Sequence, residues 1–312
     1  MKVKILGPLE VLADDGTPVD LGRRKQRALL AMLVVEVNRV VPIARLIELL
    51  WTDAPPARVT SSIQTYVSDL RRLLETHRTP RSEPEVLVTQ PPGYMLRLAP
   101  TDIDASAFES LVQEGARLLS DGRPDRAREA LVEALELWRG PAFGEFAGES
   151  FVRAEAGRLE ELRLAAVEGR LEADMALGNH AAAIAELDAA VTTYPLRERL
   201  YGLHMVALYR AGRQAEALRT YQRAKRSLGE LGLEPGPALR ALEADVLAHA
   251  SSLDWQPPGP PTPAEQPASS ASPPSQVRRS WAGTSNCRSW AGCSTRRATA
   301  IPGCCSSPVN PG

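Results

Sequence analysis

Arg58-Val59-Thr60-Ser61-Ser62-Ile63-Gln64-Thr65-Tyr66-Val67-Ser68-Asp69-Leu70-Arg71-Arg72-Leu73-Leu74 is the stretch whose reading decides the fold. Ile63, Val67, Leu70 and Leu74 recur at helical spacing and form one apolar stripe. At about 100° per residue, Ser61, Thr65, Ser68 and Arg72 fall on the opposite side, with Arg58 near them. Gln64 and Arg71 flank the stripe. One face is built to be buried. The other offers small hydrogen-bonding groups framed by arginines. Small polar residues let a helix backbone sink into the major groove, where base edges carry a distinct donor and acceptor code. Arginines at its ends can neutralise phosphates or bind guanine. The same pattern also fits a surface helix with a solvated face. The scarcity of Glu and Lys on that face, and the segment that follows, favour the DNA reading.

That segment, Val86–Thr89, Gln90-Pro91-Pro92-Gly93 and Tyr94–Leu98, reads as a β-hairpin. In a wing-type reader its tip, with Gln90 and Gly93, reaches the minor groove or the backbone. The alternative for Tyr94 is a core-facing strand residue. Upstream, Pro55-Pro56 opens the third helix and Pro42 opens a second, Ile43–Trp51, with Leu46, Leu49 and Leu50 as core candidates. Gly22 precedes a first helix with Ala28, Leu29, Met32, Leu33 and Val37 apolar. Arg23, Arg24 and Lys25 at its start can meet phosphates, since helix N-termini also present free N–H groups, or can simply be solvated. Lys2–Val11 alternates as a strand, Asp14-Asp15-Gly16 supplies a turn and Val19–Leu21 a return strand. Sheet, three helices and hairpin make an α+β winged helix-turn-helix over 1–98, preceded by an extra N-terminal sheet.

Residues 102–249 read as helix throughout and predict an all-α, tetratricopeptide-like repeat domain. Gly-x-x-x-x-Ala occurs at Gly122/Ala127, Gly178/Ala183 and Gly212/Ala217, the last two glycines 34 residues apart. Small residues there should let paired helices pack closely, with Leu187, Leu203, Leu208 and Leu218 in a shared core. Trp138–Pro141 and Phe143–Phe146 predict an inserted loop whose aromatics favour core packing over partner anchoring. From 250 to 312 the chain turns Pro/Ser/Ala-rich and reads as a disordered linker and tail.

The head carries a net charge of +3 over 1–98, the repeat region −7 over 101–250 and the tail +3. A mildly basic head on an acidic body suits a DNA reader joined to a protein-interaction module. All four cysteines lie in the tail, at 287, 293, 304 and 305, so no Cys-based metal site or disulfide frame is expected in the folded part. His77, His180, His204 and His249 lack metal-ligand spacing, and neither a Walker loop nor a nucleophile elbow occurs. There is no alternating strand–helix series to hold a phosphoacceptor receiver. No apolar run is long enough to span a bilayer and no signal peptide precedes the first strand, so a cytoplasmic, non-enzymatic protein without cofactors is expected.

Leu21–Leu30, Trp51 with Pro55-Pro56, Tyr66–Leu74 and Pro92-Gly93-Tyr94 together resemble the SARP/AfsR class of antibiotic-pathway regulators, whose DNA-binding domain is of the OmpR type. Asp102-Ile103-Asp104 and Phe108 resemble the opening of the bacterial transcriptional activation domain of that family. The resemblance spans about residues 1–250. It implies activators of biosynthetic gene clusters that bind direct repeats near promoters, as side-by-side dimers, and recruit RNA polymerase. It also implies a groove-facing set of Arg58, Ser61, Ser62, Thr65, Tyr66, Ser68 and Arg72. Two alternatives stand beside this reading. One is a helical-repeat adaptor that has lost DNA binding. The other is a truncated remnant of an ATPase-containing signalling regulator: with GC-rich codons assumed, a shifted frame turns Gly303–Gly312 into an apolar strand entering a phosphate loop.

Overall fold

In the computed structural model, residues 1–51, 56–75 and 82–257 are described. Three helices form the first layer: α1 (Arg24–Val35), α2 (Ile43–Leu50) and α3 (Val59–Leu74). They bury Leu29, Leu30, Leu33, Leu46, Ile63 and Leu70 against one another and against Leu87 and Leu96 of a β-sheet. Each fully buried leucine is worth about 1.5–3 kcal/mol, so this cluster dominates the head's stability.

The sheet contains β3 (Val41–Pro42), β4 (Leu87–Gln90) and β5 (Gly93–Leu96) in the order β3-β5-β4, all antiparallel. The two-residue β3 is absent from the sequence reading, where Pro42 opens the helix. Pro42 instead pairs with Gly93 and sits just before α2 as its N-cap. Gly93 is glycine by necessity: a Cβ there would lie 1.9 Å from the Val41 carbonyl oxygen. Val37 falls beyond the end of α1. The turn after α1 runs through Asn38 at φ 61, which bonds the Leu98 backbone through both ends of its amide.

The N-terminal strand is shorter than its alternation suggests. Lys2–Lys4 (β1) pairs antiparallel with Glu10–Leu12 (β2) across a Gly7-Pro8 reversal, and the return segment makes a short antiparallel bridge, Leu12 opposite Pro18, closed by Val19 N–H to Val11 and Ala13 N–H to Thr17. Proline has no N–H to continue a ladder, which is why the strand breaks at Pro8.

The second region holds α4 (Asp104–Ser120), α5 (Pro124–Glu136), α6 (Arg153–Ala176), α7 (His180–Thr193), α8 (Glu198–Arg210), α9 (Gln214–Gly229) and α10 (Pro237–Ala248), each packed against the next. The repeating glycines do a different job from the one their smallness suggests. Gly122, Gly178 and Gly212 have φ of 67, 86 and 75, and a Cβ on Gly122 or Gly212 would meet nothing within 4 Å. Each ends a helix with the same double closure, such as Gly212 N–H to Tyr209 and Arg213 N–H to Leu208. The close packing comes from Ala127, Ala183 and Ala217, all buried. Leu187 and Leu208 are core residues; Leu203 and Leu218 are half-buried against them.

Among the described residues two large cores and one small one result, and the first ignores the change of texture near residue 100. It runs from Val3 through the winged helix into Phe108, Trp138, Phe143, Phe146 and Leu159. The second gathers Leu187, Leu200, Tyr201, Met205, Leu208, Tyr221 and Val246. The aromatic loop Trp138–Phe146 is therefore core, and it also clamps the N-terminal hairpin. Arg139 N–H donates to the Leu6 carbonyl at 2.7 Å and Phe143 N–H to that of Ile5 at 2.7 Å. The Asp104 carboxylate accepts from the N–H groups of Ile5 (2.8 Å) and Leu6 (3.1 Å), with the Arg139 guanidinium 3.6 Å away. Burial pushes the Asp104 carboxyl above its ordinary value, against the pull of those donors. The expected disorder, cysteines and frame-shifted segment of the tail from 258 onward lie outside the described residues, as does Pro55.

Candidate nucleic-acid interface

On α3 the stripe Ile63, Val67, Leu70 and Leu74 is buried, and Ser61, Gln64, Thr65, Ser68 and Arg72 are exposed. Arg58 is the exposed N-cap. Ser62 and Tyr66 are half-buried on the shoulder of the helix. Thr65 Oγ1 donates to the Ser61 carbonyl at 2.9 Å, which leaves its lone pairs to accept from outside. Arg72 pairs with Asp69 at 3.3 Å, an exposed contact worth little and easily exchanged. The first turn carries no acidic residue and the last turn carries Arg71 and Arg72. The start of the helix is thus open to an anion and its end is complemented by cations.

Arg71 is placed differently from its neighbours. Its Nε donates to the Leu87 carbonyl at 2.7 Å, its Nη2 to Thr89 Oγ1 at 2.7 Å, and its guanidinium lies 5.9 Å from the Tyr94 ring centre. The side chain ties α3 to the hairpin rather than extending to solvent. Gln90, Pro91 and Pro92 form the exposed tip. Gly93 and Tyr94 are buried beneath it, Tyr94 paired in register with Thr89 and Val41.

The cationic start of α1 divides. Arg23 is exposed. Lys25 Nζ lies 4.3 Å from the Trp51 ring centre, and Trp51 stacks on Tyr66 at 6.4 Å and 11°, so Lys25 reaches the shoulder of α3 through two rings. Arg24 turns the other way, to Glu149 at 2.6 Å and over Phe146. Arg27 grips Glu145 with two bonds of 2.8 and 2.9 Å and holds that carboxyl below the usual carboxylate range. Sequence reasoning missed Trp51, Thr89, Glu145 and Glu149 as parts of the site. Only Thr89 carried a local signal, a polar residue on a strand of the wing. Among the described residues no cluster of His, Cys, Asp or Glu could hold a metal, and no helix is long and apolar enough to cross a membrane.

A winged helix with an open polar recognition face, joined to stacked helical hairpins, defines a DNA-binding transcriptional regulator. Residues 16–96 match the family profile of the transcriptional regulatory protein C-terminal domain, and residues 103–247 that of the bacterial transcriptional activator domain. Regulatory protein DnrI of Streptomyces peucetius is 37% identical over 85% of this chain and 97% of its own length. Transcriptional regulatory protein EmbR of Mycobacterium tuberculosis is 40% identical over 78% of this chain and 62% of its own. Regulatory protein AfsR of Streptomyces coelicolor is 38% identical over 79% of this chain, which spans 24% of it. The solved structure of Mycobacterium tuberculosis EmbR in complex with a low-affinity phosphopeptide superposes with a TM-score of 0.74 at 40% identity, over 80% of this chain and 65% of that one. The chain belongs to the SARP/AfsR family of transcriptional regulators.

Proposed function

We propose that this regulator activates a biosynthetic gene cluster by binding direct repeats near promoters as side-by-side copies. In this reading α3 enters the major groove through Arg58, Ser61, Gln64, Thr65, Ser68 and Arg72, with Ser62 and Tyr66 at the edge. The wing tip at Gln90 follows the flanking minor groove. Arg23 and Lys25 meet phosphates, and the helical region, 102–249, engages RNA polymerase. The protein works in the cytoplasm by binding, not by catalysis. The observation that carries the reading is the exposed small-polar face of α3 with arginines at both ends. A head of only modest positive charge must draw its selectivity from base contacts and DNA shape more than from phosphate neutralisation.

The test is genome-wide mapping of bound sites followed by salt-controlled gel shift. Direct repeats at promoters support the reading. Arg72→Ala should weaken binding by about 1–3 kcal/mol if it contacts a base. Unchanged affinity in both Arg72→Ala and Arg58→Ala would overturn the assigned face.

A further inference from the structure

Helices α7, α8 and α9 enclose a notch of about 330 Å³, far from the winged helix in sequence and using none of its residues. His204 of α8 lines it and is only 4% exposed. Its Nδ1 is buried and has no hydrogen-bond partner among the described residues. Around it stand Asp188 of α7, Arg213 at the N-cap of α9, and Glu216, Arg219 and Arg223 of α9. Two of the arginines are committed. Arg223 donates to Asp188 at 2.8 Å and to Thr192 Oγ1 at 2.6 Å, and Arg213 grips Glu216 at 2.7 and 2.6 Å. Arg219 is exposed and makes no ion pair or hydrogen bond among the described residues.

We propose that this notch is an effector site for a carboxylate, borne either by a small organic acid or by an acidic side chain of a peptide. Its volume is that of a small-ligand pocket. The lining has three guanidinium groups against two carboxylates, an excess of one positive charge before His204 is counted. The Arg219 guanidinium, which makes no hydrogen bond and only a longer-range attraction to Glu216, offers the two-pronged donor geometry that a carboxylate matches. At pH 7.5, where phosphate carries most of its second charge, the two fixed acids repel it more than a singly charged carboxylate. Burial, with Arg213 and Arg223 nearby, holds the His204 imidazole below its ordinary value despite Asp188 and Glu216. An anion seated against it and Arg219 reverses that balance. Binding therefore takes up a proton and strengthens as pH falls from 7.5 to 6.

The experiment uses the full chain, with the histidine side chains followed by NMR at matched ionic strength. Propionate, a blocked Glu/Ala octapeptide and inorganic phosphate are each titrated. The expected result is a saturable shift of the His204 resonances with a carboxylate probe, tightening at least threefold from pH 7.5 to 6. Arg219→Gln should lose at least tenfold in affinity; its exposed position leaves the fold intact, which circular dichroism checks. Propionate alone binding identifies a free acid, and the octapeptide alone a peptide segment. Absence of a saturable shift with either carboxylate overturns the proposal. So does Arg219→Gln binding like the parent, or phosphate binding more tightly than both carboxylates.

Discussion

Arg71 and Thr89 are 18 residues apart in the chain and 2.7 Å apart in space, and their hydrogen bond joins α3 to the wing. With the second bond to the Leu87 carbonyl and the Tyr94 ring beneath, one side chain ties α3 to the β4–β5 hairpin, the two elements proposed to face DNA. Arg71→Met should therefore act on geometry before it acts on charge. The expected outcome is loss of hydroxyl-radical protection at the wing-proximal end of the site while the central major-groove contacts persist. Thr89→Val, which keeps the shape and removes the acceptor, should cost about 1 kcal/mol of stability and give a milder version of the same footprint.

Gly93 has no room for a methyl group, because the Val41 carbonyl occupies that space. Gly93→Ala should shift β3 off β5 and cost about 3 kcal/mol, read as a lower urea midpoint. DNA binding should fall with it, since Pro42 starts α2 from the same contact.

Arg27 and Glu145 form a two-bonded pair across the junction between the head and the helical region. Both are partly exposed, so their coupling in a double-mutant cycle should be about 0.5–1 kcal/mol and should shrink in high salt. The exchanged pair Arg27→Glu with Glu145→Arg should recover part of what either single reversal loses.

His204 is held below the ordinary histidine value by burial. Its unfolded form thus binds a proton more readily than its folded form. Stability is fully present above about pH 6.5 and falls as pH drops through that value towards the lower, folded one. Thermal unfolding at pH 7.5 and 5.5 should show a larger loss in the parent than in His204→Gln.

The periodicity of α3 exposes its buried and open faces without help, because a helix places residues by count alone. The wing and the helix-ending glycines are legible for the same local reason, although the glycines serve to reverse the chain, not to bring helices together. What escapes the sequence is long-range. The two-residue β3 exists only because β5 lies beside it. Arg71 looks like another groove arginine until the wing folds over it. Nothing local in Arg24 or Arg27 reveals that Glu149 and Glu145, more than a hundred residues away, claim them.

The core that runs from Val3 to Leu159 joins the head to the first part of the helical body. A hinge between head and body would let the body point anywhere once α3 is seated. Here Ile5 and Leu6 are bonded to Asp104, Arg139 and Phe143, so the first part of the body shares one core with the head and serves as a pointer fixed to it. Turning a binding site end for end would then turn the pointer with it. An asymmetric DNA element would be translated into a vector along the chromosome, and two sites in the same orientation would aim two bodies the same way.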